Sequence, residues 1–404
     1  MVTSTVPPRQ SMIGNRVLGA LSCFAWVVLA VFWGGFWRFR CRLPHVVPDR
    51  ADPASKNGEK IWVLMPARNE SDVIEEALTS LLAQDHPAEI HIVVVDDQST
   101  DDTRARAENF RAQSSKRRSV HVLLGRPRPR GWAPKVWAQA EGWRFIEAQS
   151  PGAFVWLTDA DIQHGPNVLS AMVAKARGDS LDLVSCMVRL AVGSPWERLL
   201  IPAFVFFFAK LYPFEWVGRP KHPLLPGLSP AAAAGGSMLI RWETFSAVGG
   251  PEAVRGALID DCALARTIHR RGGKVWLGLG HASQSLRPYG GFWGVWRMVK
   301  RSAFTQLGHS WLLVLVTLLA MSLLYLAPVW GAMHGDVASI GAWLLMGGLM
   351  TPILVAYRQS VALGLLLPLA GSLYALMTLD SAIAHTWGSG VEWKRRSLSD
   401  RDPS

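Results

Sequence analysis

The stretch Phe154-Val-Trp-Leu-Thr-Asp-Ala-Asp161 joins an apolar run to two carboxylates that stand one residue apart. An uncharged apolar run that stops at acidic residues is typical of a buried strand ending at a functional site. In an extended chain Asp159 and Asp161 point to the same side, where their charges repel unless a cation or a shared proton intervenes. Their oxygens suit Mg²⁺ or Mn²⁺, which usually also bind a substrate phosphate, although Asp-x-Asp is also common in plain loops and helix caps.

Two earlier apolar runs also end in polar residues. Ile61–Met65 is followed by Pro66-Ala-Arg-Asn-Glu70, and Ile90–Val95 is followed by Asp96-Asp97. Helical patterns lie between these runs, and strands that alternate with helices predict an α/β domain with a mostly parallel sheet and helices on both faces. In such sheets the ligand binds at the carboxyl ends of the strands. We therefore expect the functional site where these three runs end.

The composition indicates a membrane protein with one sizeable folded domain. Of 404 residues, 50% are hydrophobic, and the 19 Trp residues often flank apolar runs, as in an interfacial aromatic belt. The net charge of +11 fits positive cytoplasmic loops or attraction to anionic lipids and phosphorylated substrates. Nucleic-acid binding is not expected, because no basic helix, zinc-finger spacing or RNA-binding signature is present. The four cysteines have no metal-binding or redox spacing and indicate a reduced compartment or simple packing.

An uncharged segment at residues 17–37 is long enough to cross a bilayer. We prefer a transmembrane helix to a signal peptide, because the run is long and the basic residues Arg38, Arg40 and Arg42 follow it. The positive-inside rule then places the next domain in the cytoplasm. The N-terminal segment is thus 1–42, and the polar residues 43–60 form a linker.

Two later segments have less certain environments. Arg198–Trp216 is apolar on all sides but contains Pro202, Lys210 and Pro213, so a buried core helix, a re-entrant segment and a membrane-surface helix all remain open. Residues 292–307 place aromatic and aliphatic side chains on one helical face and basic side chains on the other. This pattern predicts an interfacial helix over 291–308, with an ordinary amphipathic helix as the alternative.

Three further apolar segments, 311–330, 337–357 and 361–379, are each long enough to span a membrane within the region 309–385. Three spans would carry the basic tail 386–404 to the outside, against the positive-inside rule. We therefore expect two or three spans, with the last segment or the one that contains Pro328 partly re-entrant.

The three polar strand ends together resemble the family 2 glycosyltransferases, which are inverting enzymes with a GT-A nucleotide-diphospho-sugar transferase fold. The resemblance is carried in the expected order by Met65-Pro-Ala-Arg-Asn-Glu70, by Asp96-Asp97 with Ser99, Asp101 and Thr103 after it, and by Asp159-Ala-Asp161, and it covers about residues 61–285. It implies a catalytic domain over 61–290, a nucleotide-sugar donor and a divalent cation, Mg²⁺ or Mn²⁺. Several ordered motifs are far more specific than any one alone.

The resemblance also implies roles for single residues. Lys135, in Gly131-Trp-Ala-Pro-Lys135, would neutralise diphosphate unless it is a solvated lysine. Gly235 and Gly236 would line the acceptor side unless they form a simple turn. Ile259-Asp260-Asp261 matches an acidic pair before a helix, which otherwise simply favours the helix N-terminus. The resemblance implies that Asp261 is the catalytic base and that Asp161 holds the metal. The donor would be bound by Pro66, Arg68, Glu70, Asp97, Lys135 and Asp159. The acceptor side would be lined by Gly235, Gly236 and Asp260.

Polymer synthases of the family carry Gln-x-x-Arg-Trp, whereas this chain has Gln284-Ser-Leu-Arg287-Pro288, which favours transfer of a single sugar. Lys210-Leu-Tyr-Pro-Phe214, Arg287-Pro-Tyr-Gly-Gly291 and Ser302–Leu307 resemble the hopene-associated glycosyltransferases of bacterial hopanoid biosynthesis. The expected enzyme lies in the bacterial inner membrane and glycosylates a lipid acceptor. Another lipid (ceramide, diacylglycerol or polyprenyl phosphate) and a non-catalytic membrane scaffold that binds nucleotide-sugar are the alternatives. A transporter is disfavoured, because the spans hold few ionisable groups beyond Asp380.

Overall fold

The computed structural model describes residues 9–44, 58–225, 227, 229–387, 392–393 and 396–397. These form two compact units. One contains 9–39, 192–215 and 289–387, and the other contains 40–44, 58–191, 216–288 and the short pieces after 390. Residues 192–215 therefore group with the apolar helices, whereas the sequence boundaries 61–290 place them in the catalytic domain. Most of the predicted linker 43–60 and of the basic tail 386–404 lies outside the described residues.

The second unit is built on one eight-stranded sheet. Its strands are β1 Lys60–Ala67, β2 Glu89–Asp96, β3 Arg118–Leu124, β4 Phe154–Thr158, β5 Ile162–His164, β6 Leu183–Arg189, β7 Ser237–Arg241 and β8 Val275–Ser285. Their order in the sheet is β3-β2-β1-β4-β7-β6-β8-β5. The first four strands in this order are parallel, β6 pairs in parallel with β8, and β7 and β5 run antiparallel to their neighbours. The sheet is thus mixed but mostly parallel, as the alternating pattern predicts.

The central strands are mostly apolar, as expected for strands that helices cover on both faces of the sheet. All five residues of β4 are buried, including Phe154 and Trp156. One core cluster packs β1, β2 and β4 against Ile74, Leu78 and other residues of the surrounding helices. The helices of this unit are α2 Ile74–Leu82, α3 Thr103–Asn109, α4 Pro134–Glu147, α5 Val168–Gly178, α7 Trp242–Val248 and α8 Asp260–Arg270.

The first unit is helical. Its helices are α1 Arg9–Phe32, α6 Pro195–Leu211, α9 Phe292–Gln306, α10 Trp311–Met321, α11 Ala327–Met333, α12 Val337–Ala356 and α13 Leu367–Trp387. A π-helical turn, Ser322–Leu326, joins α10 to α11, so the segment that contains Pro328 is helical from Trp311 to Met333. A 3₁₀ turn, Val361–Leu366, leads into α13.

By length and composition, five helices of the described chain qualify as membrane spans. They are Gly14–Phe32, Pro195–Trp216, Trp311–Met333, Val337–Ala356 and Val361–Trp387. The four predicted segments are all among them, and the fifth contains α6. The predicted re-entrant character of one C-terminal segment stays a prediction.

The predicted interfacial segment forms a helix, α9, that is joined to α13 by partly buried polar contacts. Asp380 accepts hydrogen bonds from Trp296 Nε1 at 2.7 Å and Lys300 Nζ at 2.9 Å. Next to it, the Ser381 hydroxyl donates to the Lys300 carbonyl at 2.6 Å and accepts from the Phe304 backbone N–H at 3.0 Å. Lys300 and Phe304 are four residues apart, so this hydroxyl enters the hydrogen-bond ladder of α9. Asp380 thus has a structural partner inside its own unit.

Candidate functional site

The ends of β1 and β2 are joined by hydrogen bonds between the loops that follow them. Arg68 donates from Nη1 to the Asp97 and Gln98 carbonyls and lies 3.9 Å from the Asp97 carboxylate. Both side chains are buried, so this ion pair is shielded from bulk water. Asn69 and Gln98, each two residues beyond a strand end, have φ of +51° and +55°. Such left-handed non-glycine residues cluster at functional sites.

The end of β4 carries the acidic pair, and α4 supplies its counter-charge. Lys135 Nζ lies 2.6 Å from Asp159 Oδ1 and 3.8 Å from Asp260 Oδ2. Burial lowers the pKa of Lys135, but the charges of Asp159 and Asp260 outweigh burial and hold that pKa above its usual value. The lysine is therefore a firmly protonated cation between two elements, β4 and α8, and not a solvated surface side chain.

Asp161 contacts Ser285, the last residue of β8, and is influenced by Arg287, which follows that strand. Its Oδ2 accepts a hydrogen bond from the Ser285 hydroxyl at 3.3 Å. Burial and the neighbouring Asp159 charge raise the pKa of Asp161 to about 6, and the Arg287 charge opposes this rise. Arg287 Nη1 also lies 2.7 Å from Glu70 Oε2. Arg287 thus links the acidic pair electrostatically to the loop after β1.

The second acidic pair opens α8, as the sequence predicts. Asp261 Oδ2 accepts the Gly235 backbone N–H at 2.7 Å, and Oδ1 accepts the Cys262 N–H at 2.7 Å. Burial and the Asp260 charge raise the pKa of Asp261 to about 6, while Lys135 and the two N–H groups oppose the rise. A carboxylate with a pKa near 6 is ionised at neutral pH yet remains a competent proton acceptor.

Gly235 and Gly236 have different surroundings. A Cβ on Gly235 would stand 3.3 Å from both Asp261 Oδ2 and Lys135 Nζ, which is tighter than ordinary contact. A Cβ on Gly236 would stand 2.9 Å from Val188 Cγ2. Gly235 therefore lets the backbone approach the charged groups, whereas Gly236 lets the strand pack on its neighbour.

The predicted residues fall into two sets, one at each side of Arg287. We call Asp159, Asp161, Asp260 and Asp261 the acidic cluster; Lys135 and Gly235 touch its members. Arg68, Glu70 and Asp97 lie at the ends of β1 and β2, and Pro66 lies inside β1 opposite Val95. Three residues at the site were not assigned from the sequence. They are Arg287, Ser285 and Gly125, whose N–H donates to the Asp96 carbonyl at 2.9 Å.

The acidic residues fit a divalent cation that a substrate helps to hold. Among the described residues, no group of three or more His, Cys, Asp or Glu side chains is placed to hold a metal ion. Asp159 and Asp161 supply two hard oxygen donors, and the raised pKa of Asp161 reflects a repulsion that a cation would relieve. Mg²⁺ and Mn²⁺ are commonly bound by one or two carboxylates together with substrate phosphate and water. The donor set therefore suits such an ion.

Comparison with known proteins gives the same assignment for the folded unit. Residues 62–233 match the model of glycosyl transferase family 2. A mannosyltransferase from Pyrobaculum calidifontis, solved with GDP-Man and Mn²⁺, aligns over 94% of this chain and 99% of its own with a TM-score of 0.55 and 17% identity. Glucosyl-3-phosphoglycerate synthase from Mycobacterium tuberculosis, solved with Mn²⁺ and UDP-glucose, aligns over 58% and 74% with a TM-score of 0.37 and 22% identity. No curated protein matches the chain.

The mannosyltransferase alignment shows a shared fold over nearly the whole chain, and the family match covers the strand ends of β1, β2 and β4. The predicted GT-A-like fold is therefore confirmed, together with several helices long enough to span a membrane. The match of residues 62–233 to the glycosyl transferase family 2 model, together with the shared fold, indicates a glycosyltransferase.

Proposed function

We propose that this glycosyltransferase moves a single sugar from a nucleotide-sugar to the hydroxyl of a lipid acceptor, with inversion at the anomeric carbon. The observation that carries the proposal is the environment of Asp261. This ionisable carboxylate has a pKa near 6, lies beside Lys135 and is held by two backbone N–H groups. Asp261 would act on the acceptor, and the nearby pair Asp159 and Asp161 would serve the leaving group through a cation. The site therefore contains both groups that a displacement reaction needs.

On the donor side, the proposal assigns binding to the residues at the ends of β1, β2 and β4. Asp97, held by Arg68, would accept hydrogen bonds from the nucleotide, and Pro66 and Glu70 would shape this edge of the site. Lys135 and Asp159 would contact the diphosphate end of the donor, and Asp161 would hold Mg²⁺ or Mn²⁺. When bound, that cation offsets charge on the departing nucleoside diphosphate. The mannosyltransferase of similar fold was solved with Mn²⁺ and GDP-Man, which is consistent with this assignment.

On the acceptor side, the proposal makes Asp261 the general base. Its ionised carboxylate takes the proton of the acceptor hydroxyl while the oxygen attacks the anomeric carbon and the nucleoside diphosphate leaves. One displacement from the opposite face inverts that carbon. A well-placed base contributes about 10²–10⁴-fold to such a rate. Gly235, Gly236 and Asp260 would line the acceptor side, where Gly235 allows the backbone to come close to Asp261.

A lipid acceptor fits the helical unit. Beside the candidate spans, the start of α6 and the start of α9 bring Trp196, Phe292, Trp293 and Trp296 into one aromatic cluster with ring centroids 5.0–5.9 Å apart. Trp196 and Trp293 are 44% and 64% exposed, and exposed tryptophan clusters of this kind suit a membrane interface. The resemblance to hopene-associated enzymes makes a hopanoid precursor the first acceptor to test. Arg38, Arg40 and Arg42 favour a catalytic unit on the cytoplasmic side of the bacterial inner membrane.

The proposal is tested with the full chain in detergent or nanodiscs. A panel of nucleotide-sugars with Mg²⁺ or Mn²⁺ is expected to release nucleoside diphosphate only when a lipid acceptor is added, and hopanoid, ceramide, diacylglycerol and polyprenyl phosphate acceptors are compared side by side. Binding of a nucleotide-sugar without release across the whole acceptor panel would instead identify a non-catalytic scaffold.

The base assignment has its own test. Asp261→Asn keeps the side-chain shape and is expected to lower the transfer rate at least a hundredfold while donor binding persists. Asp182→Asn is the matched control, because the Asp182 carboxylate also accepts two hydrogen bonds, from the Thr244 hydroxyl and from the Lys274 N–H. Transfer at the wild-type rate in Asp261→Asn would remove Asp261 from the base role.

A further inference from the structure

Four polar groups, three of them buried side chains, form a continuous hydrogen-bonded chain beneath the acidic cluster. The Ser283 hydroxyl lies 2.9 Å from His164 Nδ1, and His164 Nε2 lies 2.8 Å from Thr158 Oγ1. Thr158 Oγ1 then donates to the Gly236 carbonyl at 3.0 Å in a partly buried bond. Ser283, His164 and Thr158 are 0%, 3% and 2% exposed. Water therefore does not compete with the two bonds of His164.

The last bond fixes the direction of the whole chain. Thr158 donates its single hydroxyl proton to the Gly236 carbonyl, so Oγ1 must accept a hydrogen bond from His164. His164 Nε2 therefore carries the imidazole proton. His164 Nδ1 is then an acceptor and receives the Ser283 hydroxyl proton. Burial lowers the pKa of His164 to about 3, which agrees with a neutral ring. A chain in which each donor polarises the next is stronger than isolated bonds.

The chain ends at the residues that hold the acidic cluster in place. Thr158 directly precedes Asp159, and in the pairing of β4 with β7 it stands opposite Ser237. This register brings Thr158 next to the Gly235–Gly236 pair. Asp261 binds the pair at the Gly235 N–H, and Thr158 binds it at the Gly236 carbonyl. On the N-terminal side of the pair, the Ser185 hydroxyl donates to the Ala234 carbonyl at 3.2 Å, in the peptide unit that carries the Gly235 N–H. Glycines have the widest backbone freedom, and the Thr158 bond restrains the pair on its C-terminal side.

We propose that His164 and Thr158 are positioning residues for transfer, which hold the Gly235–Gly236 backbone so that the Gly235 N–H stays on Asp261. The proposal rests on the proposed role of Asp261 as base. His164 does not exchange a proton with substrate; it is a fixed donor to Thr158 and a fixed acceptor from Ser283. The competing explanation is a polar network that stabilises the fold without affecting the base.

The two explanations differ in the pH dependence of the rate. The Gly235 N–H lowers the pKa of Asp261, against burial and the Asp260 charge, and Lys135 lowers it further. Loss of the Gly235 bond therefore raises the pKa of Asp261 and moves the acidic limb of kcat/KM from about pH 6 to about pH 7. A purely structural network would lower thermal stability and leave the limb in place. Asp260, Cys262 and Lys135, which face Asp261, are unchanged in every variant below.

The experiment compares matched variants of the full chain. Thr158→Val removes the hydroxyl at nearly constant shape, and Thr158→Ser keeps it. We expect Thr158→Val to lower kcat about tenfold to a hundredfold and to move the acidic limb upward, with little change in the KM of the donor, and Thr158→Ser to restore the wild-type limb. Thr244→Val removes a partly buried hydroxyl of the same unit, which donates to Asp182 at 2.7 Å. It is expected to lower thermal stability without moving the limb.

Ser283→Ala provides a milder variant if Thr158→Val does not fold. Without the Ser283 proton donor, His164 is free to take the other tautomer, and Thr158 then turns its proton toward Nε2 and away from the Gly236 carbonyl. We expect a smaller upward movement of the same limb. A limb that stays at the wild-type pH in Ser283→Ala and in folded Thr158→Val overturns the proposal. A wild-type rate in Asp261→Asn would overturn the base assignment instead, so the two failures are separable.

Discussion

Removal of the Lys135 charge tests the electrostatic balance of the site most directly. Lys135 Nζ lies 2.6 Å from Asp159 and 3.8 Å from Asp260, and its charge also lowers the pKa of Asp261. Lys135→Met keeps the length and apolar stem of the side chain and deletes the ammonium. Four carboxylates then face one another without this cation.

The magnitude follows from the distances. At an effective dielectric constant of about 20, the attraction over 3.8 Å between Lys135 and Asp260 is about 4 kcal/mol before desolvation is counted. If a third of it acts on Asp261, the pKa of that group rises from about 6 to about 7, since one pKa step is about 1.4 kcal/mol. Asp261 accepts a proton only when ionised, so the acidic limb of kcat/KM moves upward by the same amount. Loss of diphosphate stabilisation lowers kcat about a hundredfold in addition, at every pH.

The assay is nucleoside diphosphate release between pH 5 and 9 for the wild type, Lys135→Met and Lys135→Arg. Lys135→Arg keeps the positive charge, and its acidic limb is expected near the wild-type pH even if the rate falls. An acidic limb in Lys135→Met at the wild-type pH would refute the reasoning, because it would mean that the charge of Lys135 does not act on the base.

Three further outcomes are expected. Gly235→Ala places a methyl group 3.3 Å from Asp261 Oδ2 and should lower kcat about tenfold or more while the thermal unfolding midpoint changes little. Asp161→Asn relieves repulsion in the acidic cluster, so the protein alone should unfold at a higher temperature than the wild type. Mn²⁺ with nucleoside diphosphate should raise the unfolding temperature of the wild type but not of this variant in the same melting assay. Asp380→Ala leaves Lys300 of α9 without its partner in α13 and should lower the unfolding midpoint in detergent by several degrees without changing donor binding.

The strand ends of the folded unit are predictable because they obey local rules. The apolar runs before Pro66, Asp96 and Asp159 become β1, β2 and β4, and parallel pairing brings their polar ends to one edge. Lys135 and Asp261 are predictable only through the family resemblance, since their meeting near Gly235 depends on how α4 and α8 pack.

No local sequence pattern predicts the pairing of β5 with β8. β5 has only three residues, and its antiparallel register with β8 places Ser283 opposite His164 and Ser285 opposite Ile162. That register brings Ser285 to Asp161 and completes the buried chain from Ser283 to Thr158. These contacts join residues more than a hundred positions apart in sequence, so composition and periodicity carry no information about them.

The chain connectivity around α6 bears on a question that hydropathy leaves open. Pro195–Trp216 is long and apolar enough to cross a membrane. Yet β6, which precedes it, and β7, which follows it, are hydrogen-bonded neighbours in one sheet, so the chain leaves this sheet before α6 and returns to it afterwards. Twenty-two residues suffice for about one crossing at 1.5 Å per residue, and a single crossing would place the two strands on opposite sides of a bilayer. A single crossing by α6 is therefore not expected, and a buried core helix, a re-entrant segment and a membrane-surface helix all stay predictions.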